Sequence, residues 1–295
     1  MKCGGIKRLI GLAAVLAVLG GGAWFYLARP PLVLVVDESF LALYGQKRAE
    51  TRRRILSATL LRRVTFAVAA RDGGQDDAEV AVNEVSQKPF MVLFPERYLD
   101  NADRYASAVE AAGLSGNIRT AVIDSGNGRE ASIGRAESLG LDRETDFYRA
   151  GMCAAIIAKE NRIAVYSQDA LPQAHRKAFT DGAVAAGYTG EPHFARSSDQ
   201  SPPEGIGCAV LFSAVNANLL AARQNIPIVL FSWTDPNYTP NGVAVVFDDS
   251  LLAVAEQAVQ GNNPLTARPH ILPKRLQVPG DLKTLRAAVT AKREE

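Results

Sequence analysis

Short runs of Val, Ile, Leu and Phe alternate along this chain with longer, Ala-rich amphipathic stretches, and that alternation restricts the fold more than any other feature. Leu32–Val36, Val64–Ala69, Phe90–Phe94 and Arg119–Ile123 read as buried strands. Tyr44–Leu61, Gln75–Gln87 and Glu96–Ala112 lie between them and carry helical periodicity, with Gly113 as a stop for the last. Strands this continuously apolar, each followed by a helix, imply a parallel sheet covered on both faces.

The pattern breaks at Asp124-Ser125-Gly126-Asn127-Gly128, a turn, and stays weak to Leu141. Asp142 is placed to N-cap a helix to about Lys159, with Glu144 favourable in its first turn. The alternation then restarts. Strand Ile163–Ser167, helix Gln173–Ala186 and a strand around Pro192–Ala195 come first. Strand Cys208–Phe212, helix Ala214–Gln224, strands Pro227–Phe231 and Val243–Phe247 and a helix Leu251–Gln260 follow, before a Pro-punctuated tail. Two similar α/β lobes are expected, lobe one over 32–141 and lobe two over 142–248. No short-period repeat suggests a solenoid.

The N-terminus is of another kind. Leu9–Ala28 is twenty residues without a charge, long enough at 1.5 Å per residue for a bilayer core of about 30 Å. Lys2, Lys7 and Arg8 precede it, which keeps that end cytoplasmic and exports the remainder. Trp24, Phe25 and Tyr26 suit an interfacial aromatic belt. Residues 1–28 therefore read as a membrane anchor, or alternatively as a cleaved signal with Gly20-Gly21-Gly22-Ala23 at its processing site. Either way, an extracytoplasmic location is expected, on the inner membrane with the globular part in the periplasm if the anchor is kept.

Composition excludes several classes. Thirty-three Lys and Arg against 31 Asp and Glu give no whole-protein reason for nucleic-acid binding. Cys3, Cys153 and Cys208 form no C-x-x-C spacing, and His175, His193 and His270 are isolated, so no metal or other cofactor is expected. Cys153 and Cys208 both fall in apolar runs and read as buried free thiols rather than a disulfide. No G-x-S-x-G, P-loop or G-x-G-x-x-G follows a strand, so an enzyme is not expected.

Ligands of open parallel sheets bind outside the carboxyl ends of the strands. With two lobes facing each other, that edge would be a cleft. The residues after each strand are mostly short and polar or acidic, among them Asp37, Asp124, Asp169, Asn216, Asp235, Asp248 and Asp249. Phe40, Trp233 and Tyr238 lie near them in sequence. Hydroxyl-binding groups with aromatic rings suit a neutral ligand bearing several hydroxyls and a flat ring. Each such position also has an ordinary use as a turn residue or N-cap.

Three stretches resemble the basic membrane protein family of solute-binding proteins. Asp146–Lys159, containing Tyr148-Arg149-Ala150-Gly151-Met152-Cys153-Ala154-Ala155 before a strand, is similar to that family's Y-x-A-G-x-x-A-A helix. Phe179–Gly187 is similar to its F-x-x-G-x-x-A-G helix, and Ile228–Tyr238 to its I-G-V-D-x-D-Q-x-Y segment. The resemblance covers about a hundred residues of lobe two. It implies a type I periplasmic-binding-protein fold: two doubly wound parallel-sheet lobes around a ligand cleft, with 249–278 returning to lobe one and a C-terminal helix or tail over 279–295. It also implies delivery of nucleoside-like ligands to an ABC-type permease, and a monomer is expected.

By position, Asp235 matches the second Asp of the D-x-D-Q motif, Tyr238 its aromatic residue, and Asp37 the first-strand acidic residue. Trp233 replaces the first Asp and Pro236 the Gln, and Asp248-Asp249-Ser250-Leu251 replaces the family's Ser-x-x-Lys. The ligand-binding expectation therefore rests on Asp37, Phe40, Asp169, Asn216, Trp233, Asp235 and Tyr238, for a nucleoside-like or sugar-like molecule. The alternative is a degenerate binding fold that serves a membrane partner as a sensing or scaffolding ectodomain. One feature stands outside both: Lys47–Arg63 holds seven basic residues against Glu50. It reads either as a basic amphipathic face for anionic lipid or a transporter subunit, or as a solvated helix face.

Overall fold

The computed structural model describes residues 26, 28–69, 77–85, 88–124, 134–167, 170–196, 204–212, 226–231, 242–273 and 282–293. The chain divides into two units. The first takes the residues to Glu38, Glu50–Val122 and Ile133–Glu137; the second takes Ser39–Ala49, Ile123–Ser132 and Ser138–Glu295.

In the first sheet, strands β1 (Leu32–Asp37), β2 (Val64–Ala69), β3 (Met91–Pro95), β4 (Arg119–Asp124) and β5 (Glu137–Gly140) are ordered β2-β1-β3-β4-β5. β1 pairs in parallel with β2 and with β3, and every one of its residues is buried. That is what a central strand covered on both faces requires, and it accounts for the unbroken LVLVVD. Helices α3 (Asp77–Asn83) and α4 (Leu99–Ala111) serve this unit, whose core includes Val33, Val35, Val92, Phe94, Ala102 and Val122. The helix expected over Tyr44–Leu61 is α2 (Gln46–Leu60), and a short unexpected helix, α1 (Glu38–Tyr44), precedes it. Gly45 divides them at φ +87°, a conformation that a side chain would oppose.

The second sheet holds β6 (Arg162–Ser167), β7 (His193–Arg196), β8 (Ile206–Leu211), β9 (Ile228–Phe231), β10 (Val243–Asp248) and β11 (Arg268–Ile271), in the order β11-β10-β9-β8-β6-β7. Read from β7, its first five strands repeat the order of the first sheet, 2-1-3-4-5. All its pairings are parallel except β10–β11.

Helices α5 (Arg143–Ala158), α6 (Gln173–Ala185), α7 (Leu251–Val259) and α8 (Leu282–Ala288) complete the described elements. Asp142 caps α5 as expected, accepting the Thr145 N–H at 2.9 Å. The expected helix over Ala214–Gln224 lies outside the described residues.

One expectation is corrected. The described part of the segment 249–278, residues 249–273, belongs to the second unit, not the first: β11 pairs antiparallel with β10, Val246 opposite His270. Leu251–Ala255 of α7 are buried as a continuous run, so that helix needs cover on more than one side. Ala267 and the α8 residues Leu285 and Ala288 likewise join the core around Phe147.

The glycines behind the family resemblance have a packing role. α5 and α6 cross where a Cβ on Gly151 would overlap the Phe179 carbonyl and one on Gly182 would overlap the Tyr148 carbonyl. Both overlaps are with backbone, which cannot rotate away. Gly151→Ala and Gly182→Ala are each expected to destabilise the protein by about 1–3 kcal/mol or more, read as a lower urea midpoint.

Candidate functional site

In a 2-1-3-4-5 sheet the strand order reverses between the first and third strands, and the carboxyl edge there is the usual ligand crevice. In the first unit that point lies between β1 and β3. β1 ends on Asp37, whose carboxylate is buried. β3 runs into a 3₁₀ turn, Glu96–Tyr98, which brings two residues to Asp37. The Tyr98 hydroxyl donates to Asp37 Oδ2 at 3.4 Å, and the Arg97 guanidinium forms an ion pair with the same oxygen.

Arg97 also lies over the Tyr98 ring, 5.1 Å from its centroid. Partial burial lowers the Arg97 pKa, with the Tyr98 hydroxyl acting against that shift. The Arg97 side chain is nonetheless 49% exposed. It has five N–H donors, and a carboxylate engages at most two in the usual fork. The site therefore offers oriented donors beside an aromatic edge rather than a bare carboxylate.

In the second unit the corresponding point lies between β6 and β8. Buried Ser167 ends β6, Phe212 follows β8, Phe231 ends β9 and Asp248-Asp249 close β10. Behind them is an aromatic stack. Phe147 of α5 lies 5.1 Å from the His175 ring, 5.3 Å from Phe212 and 5.0 Å from Phe231, and Phe231 continues to Phe247 at 5.1 Å. Arg143, in the first turn of α5, sits over Phe212 at 5.4 Å and pairs with Asp249 at 2.7 Å. Burial keeps His175 biased toward the neutral form, and the Arg143 charge acts the same way.

The remaining acid after β10 is engaged within the unit. Asp248 accepts the Tyr44 hydroxyl at 3.1 Å, the Arg48 guanidinium at 3.4 Å and the Ser250 N–H at 3.1 Å. Burial raises the Tyr44 pKa, and the Asp248 carboxylate adds to the shift.

Asp37 and Phe40 thus fall in separate clusters. Asp37 is held by Arg97 and Tyr98, whereas Phe40 is buried and stacked on Tyr44 at 5.2 Å. Asp169, Asn216, Trp233, Asp235 and Tyr238 lie outside the described residues. Sequence reasoning missed Arg97 and Tyr98. Their signal is position, immediately after the third strand of a switch-point order, and that order is not visible before the strands are paired.

Cys153 and Cys208 are free and buried, as expected. Burial pushes the Cys153 thiol up to about 12, with Arg149 opposing it, so it is a poor nucleophile. Among the described residues no group of three or more His, Cys, Asp or Glu could hold a metal ion.

No family model matches the chain, and no curated protein does. Solved structures do. An ABC transporter system solute-binding protein from Conexibacter woesei DSM 14684 is similar at TM-score 0.59 and 13% identity, over 88% of this chain and 95% of that one. This chain has the type I periplasmic-binding-protein fold. An ABC transporter periplasmic solute-binding protein from Actinobacillus succinogenes 130z, with bound D-allose, is similar at TM-score 0.52 and 10% identity, over 83% and 97%. A transcriptional activator of the comK gene from Bacillus halodurans is similar at 0.54 and 12%, over 88% and 97%. Solute-binding proteins and transcription regulators share this fold, so the fold leaves both classes of function open.

Behind the second-unit edge, Asp146 is wholly buried and accepts the Ala267 N–H through both oxygens, at 3.0 and 3.1 Å. Burial raises its pKa from 3.8 to about 7, against the pull of Arg143, the Ala267 N–H and Arg149; Asp249 adds to the rise. Below about pH 4 the group is neutral folded or unfolded and adds no pH dependence. Between about 4 and 7 the unfolded chain ionises first, so this group lowers stability as pH rises, by on the order of 4 kcal/mol in full. Asp146→Asn is expected to remove that component, so that its melting temperature falls less than the wild type's between pH 4.5 and 7.5.

Proposed function

We propose that this protein is an extracytoplasmic solute-binding protein. It captures a small hydroxylated molecule, nucleoside-like or sugar-like, at the carboxyl edges of its sheets and passes it to an ABC-type permease without chemistry. The observation that carries this reading is the Asp37–Arg97–Tyr98 cluster at the switch point of the first sheet. It joins fixed hydrogen-bond donors to an aromatic edge where the fold places ligands. The charge-free run Leu9–Ala28, preceded by Lys2, Lys7 and Arg8, supports export over a transcription regulator, with the chain tethered to the inner membrane and its globular part in the periplasm.

The narrower kinship with the basic membrane protein family belongs to this proposal. So do the ligand roles of Asp169, Asn216, Trp233, Asp235 and Tyr238. A second reading, a degenerate binding fold serving as a sensing or scaffolding ectodomain, is favoured by one observation. Asp37, Asp248 and Asp249 are all engaged by arginines of the chain itself.

A thermal-shift screen of the purified chain with nucleosides, sugars and related metabolites separates the two. The binding reading expects one class to raise the melting temperature, and Arg97→Ala to weaken that ligand at least tenfold, equivalent to about 1.4 kcal/mol. A well-folded protein that no compound stabilises would overturn it in favour of the scaffold.

A further inference from the structure

At the opposite, amino edge of the first sheet, basic and apolar side chains gather where the N-terminal segment enters the fold. α2 ends at Leu60, and the chain enters β2 through Leu61, Arg62 and Arg63. The Leu61 carbonyl accepts from the Arg29 guanidinium at 3.4 Å, and Arg62 donates to the Pro30 carbonyl at 3.5 Å while lying over the Phe90 ring at 4.2 Å. Tyr26, at the end of the apolar run, lies close enough to Arg53 to act on its charge. Arg29 and Pro30, which follow the Leu9–Ala28 run in sequence, therefore lie beside the end of α2.

The chemistry of that edge matches a lipid surface. Residues 28–31, 55–63 and 88–90 contain Arg29, Arg62, Arg63 and Lys88 and no Asp or Glu, while Arg54 is paired with Glu50 at 2.8 Å. Leu61 is 65% exposed and Ile55 48%, a large apolar exposure for positions flanked by arginines. Arg63 also lines an adjoining groove of about 390 Å³ with Pro31 and Phe66, where Glu84 is the acid among the lining residues. Its Nε and Nη2 are buried with no hydrogen-bond partner among the described residues, so an anionic oxygen entering that groove would find unused donors.

We propose that this edge docks on an anionic phospholipid bilayer, with Leu61 and Ile55 at the headgroup boundary and Arg29, Arg62, Arg63 and Lys88 on the phosphates. The N-terminal apolar segment supplies proximity. A span of twenty residues at about 1.5 Å each crosses a hydrocarbon core of about 30 Å and delivers Arg29 to its surface. Basic residues near an anionic leaflet then hold the edge down. The proposal rests on the anchor reading of Leu9–Ala28 but not on ligand capture.

The test uses the full chain reconstituted in vesicles containing brominated lipid, with Cys3→Ser so that only the introduced cysteine reacts; Cys153 and Cys208 are buried. A fluorophore is placed at Leu61→Cys or, as the control, at Asp100→Cys on α4, at the other end of the same sheet and about 17–20 Å away by strand length. In phosphatidylcholine mixed with phosphatidylglycerol, the label at position 61 should be quenched and the label at 100 should not. Phosphatidylcholine alone or high salt should reduce the quenching. Arg62→Gln combined with Lys88→Gln, with folding checked by circular dichroism, should lower the docked-to-undocked ratio roughly 30-fold.

A chain retained in vesicles after an alkaline wash but unquenched at position 61 overturns the docking while keeping the anchor. Release by that wash overturns both. Quenching equal in neutral and anionic vesicles overturns the electrostatic account. Ligand binding is scored separately and survives any of these outcomes.

Discussion

A parallel strand cannot turn back onto its neighbour; it must cross over, and among the described residues α2, α3, α4 and α6 make such crossings. That constraint accounts for most of what the chain does. It requires central strands to be apolar on both faces, as all six buried residues of β1 and of β10 are. It also sends the exits of the parallel strands to one edge of their sheet, where the strand order reverses beside β1 in the first unit and beside β6 in the second. The polar residues that follow the strands collect at those edges because no other place is left for them.

What the edges carry is less acidic in effect than their composition. Asp37 is met by Arg97 and Tyr98, Asp248 by Tyr44 and Arg48, and Asp249 by Arg143. A buried carboxylate without such partners would be costly. Pairing fixes the guanidinium groups in return, and a fixed guanidinium beside an aromatic ring is a better-oriented donor than a free one. In the proposed reading, recognition passes from the acids to the arginines and rings they hold.

The strands and most helices were legible because their cause is local: runs of Val, Ile and Phe, the Asp142 cap, and Ala-rich periodicity. The motifs of α5 and α6 were equally legible, though Gly151 and Gly182 prove to serve a backbone-to-backbone crossing. Three features escaped for non-local reasons. β5 and β11 are four-residue strands whose residues, ESLG and RPHI, carry no apolar run, so pairing alone makes them strands. The home of 249–273 depended on β10 having an open neighbour position. Arg97 and Tyr98 became site residues only when β3 came to lie beside β1.

The central claim is that the switch-point cluster of the first sheet holds a small hydroxylated ligand. Native mass spectrometry tests it most directly, with the chain and its Arg97→Ala variant each incubated in a mixture of nucleosides and sugars and sprayed gently. The account predicts a single ligand mass retained one-to-one by the wild-type chain and lost from the folded variant. Equal retention by both, or none by either, would contradict it.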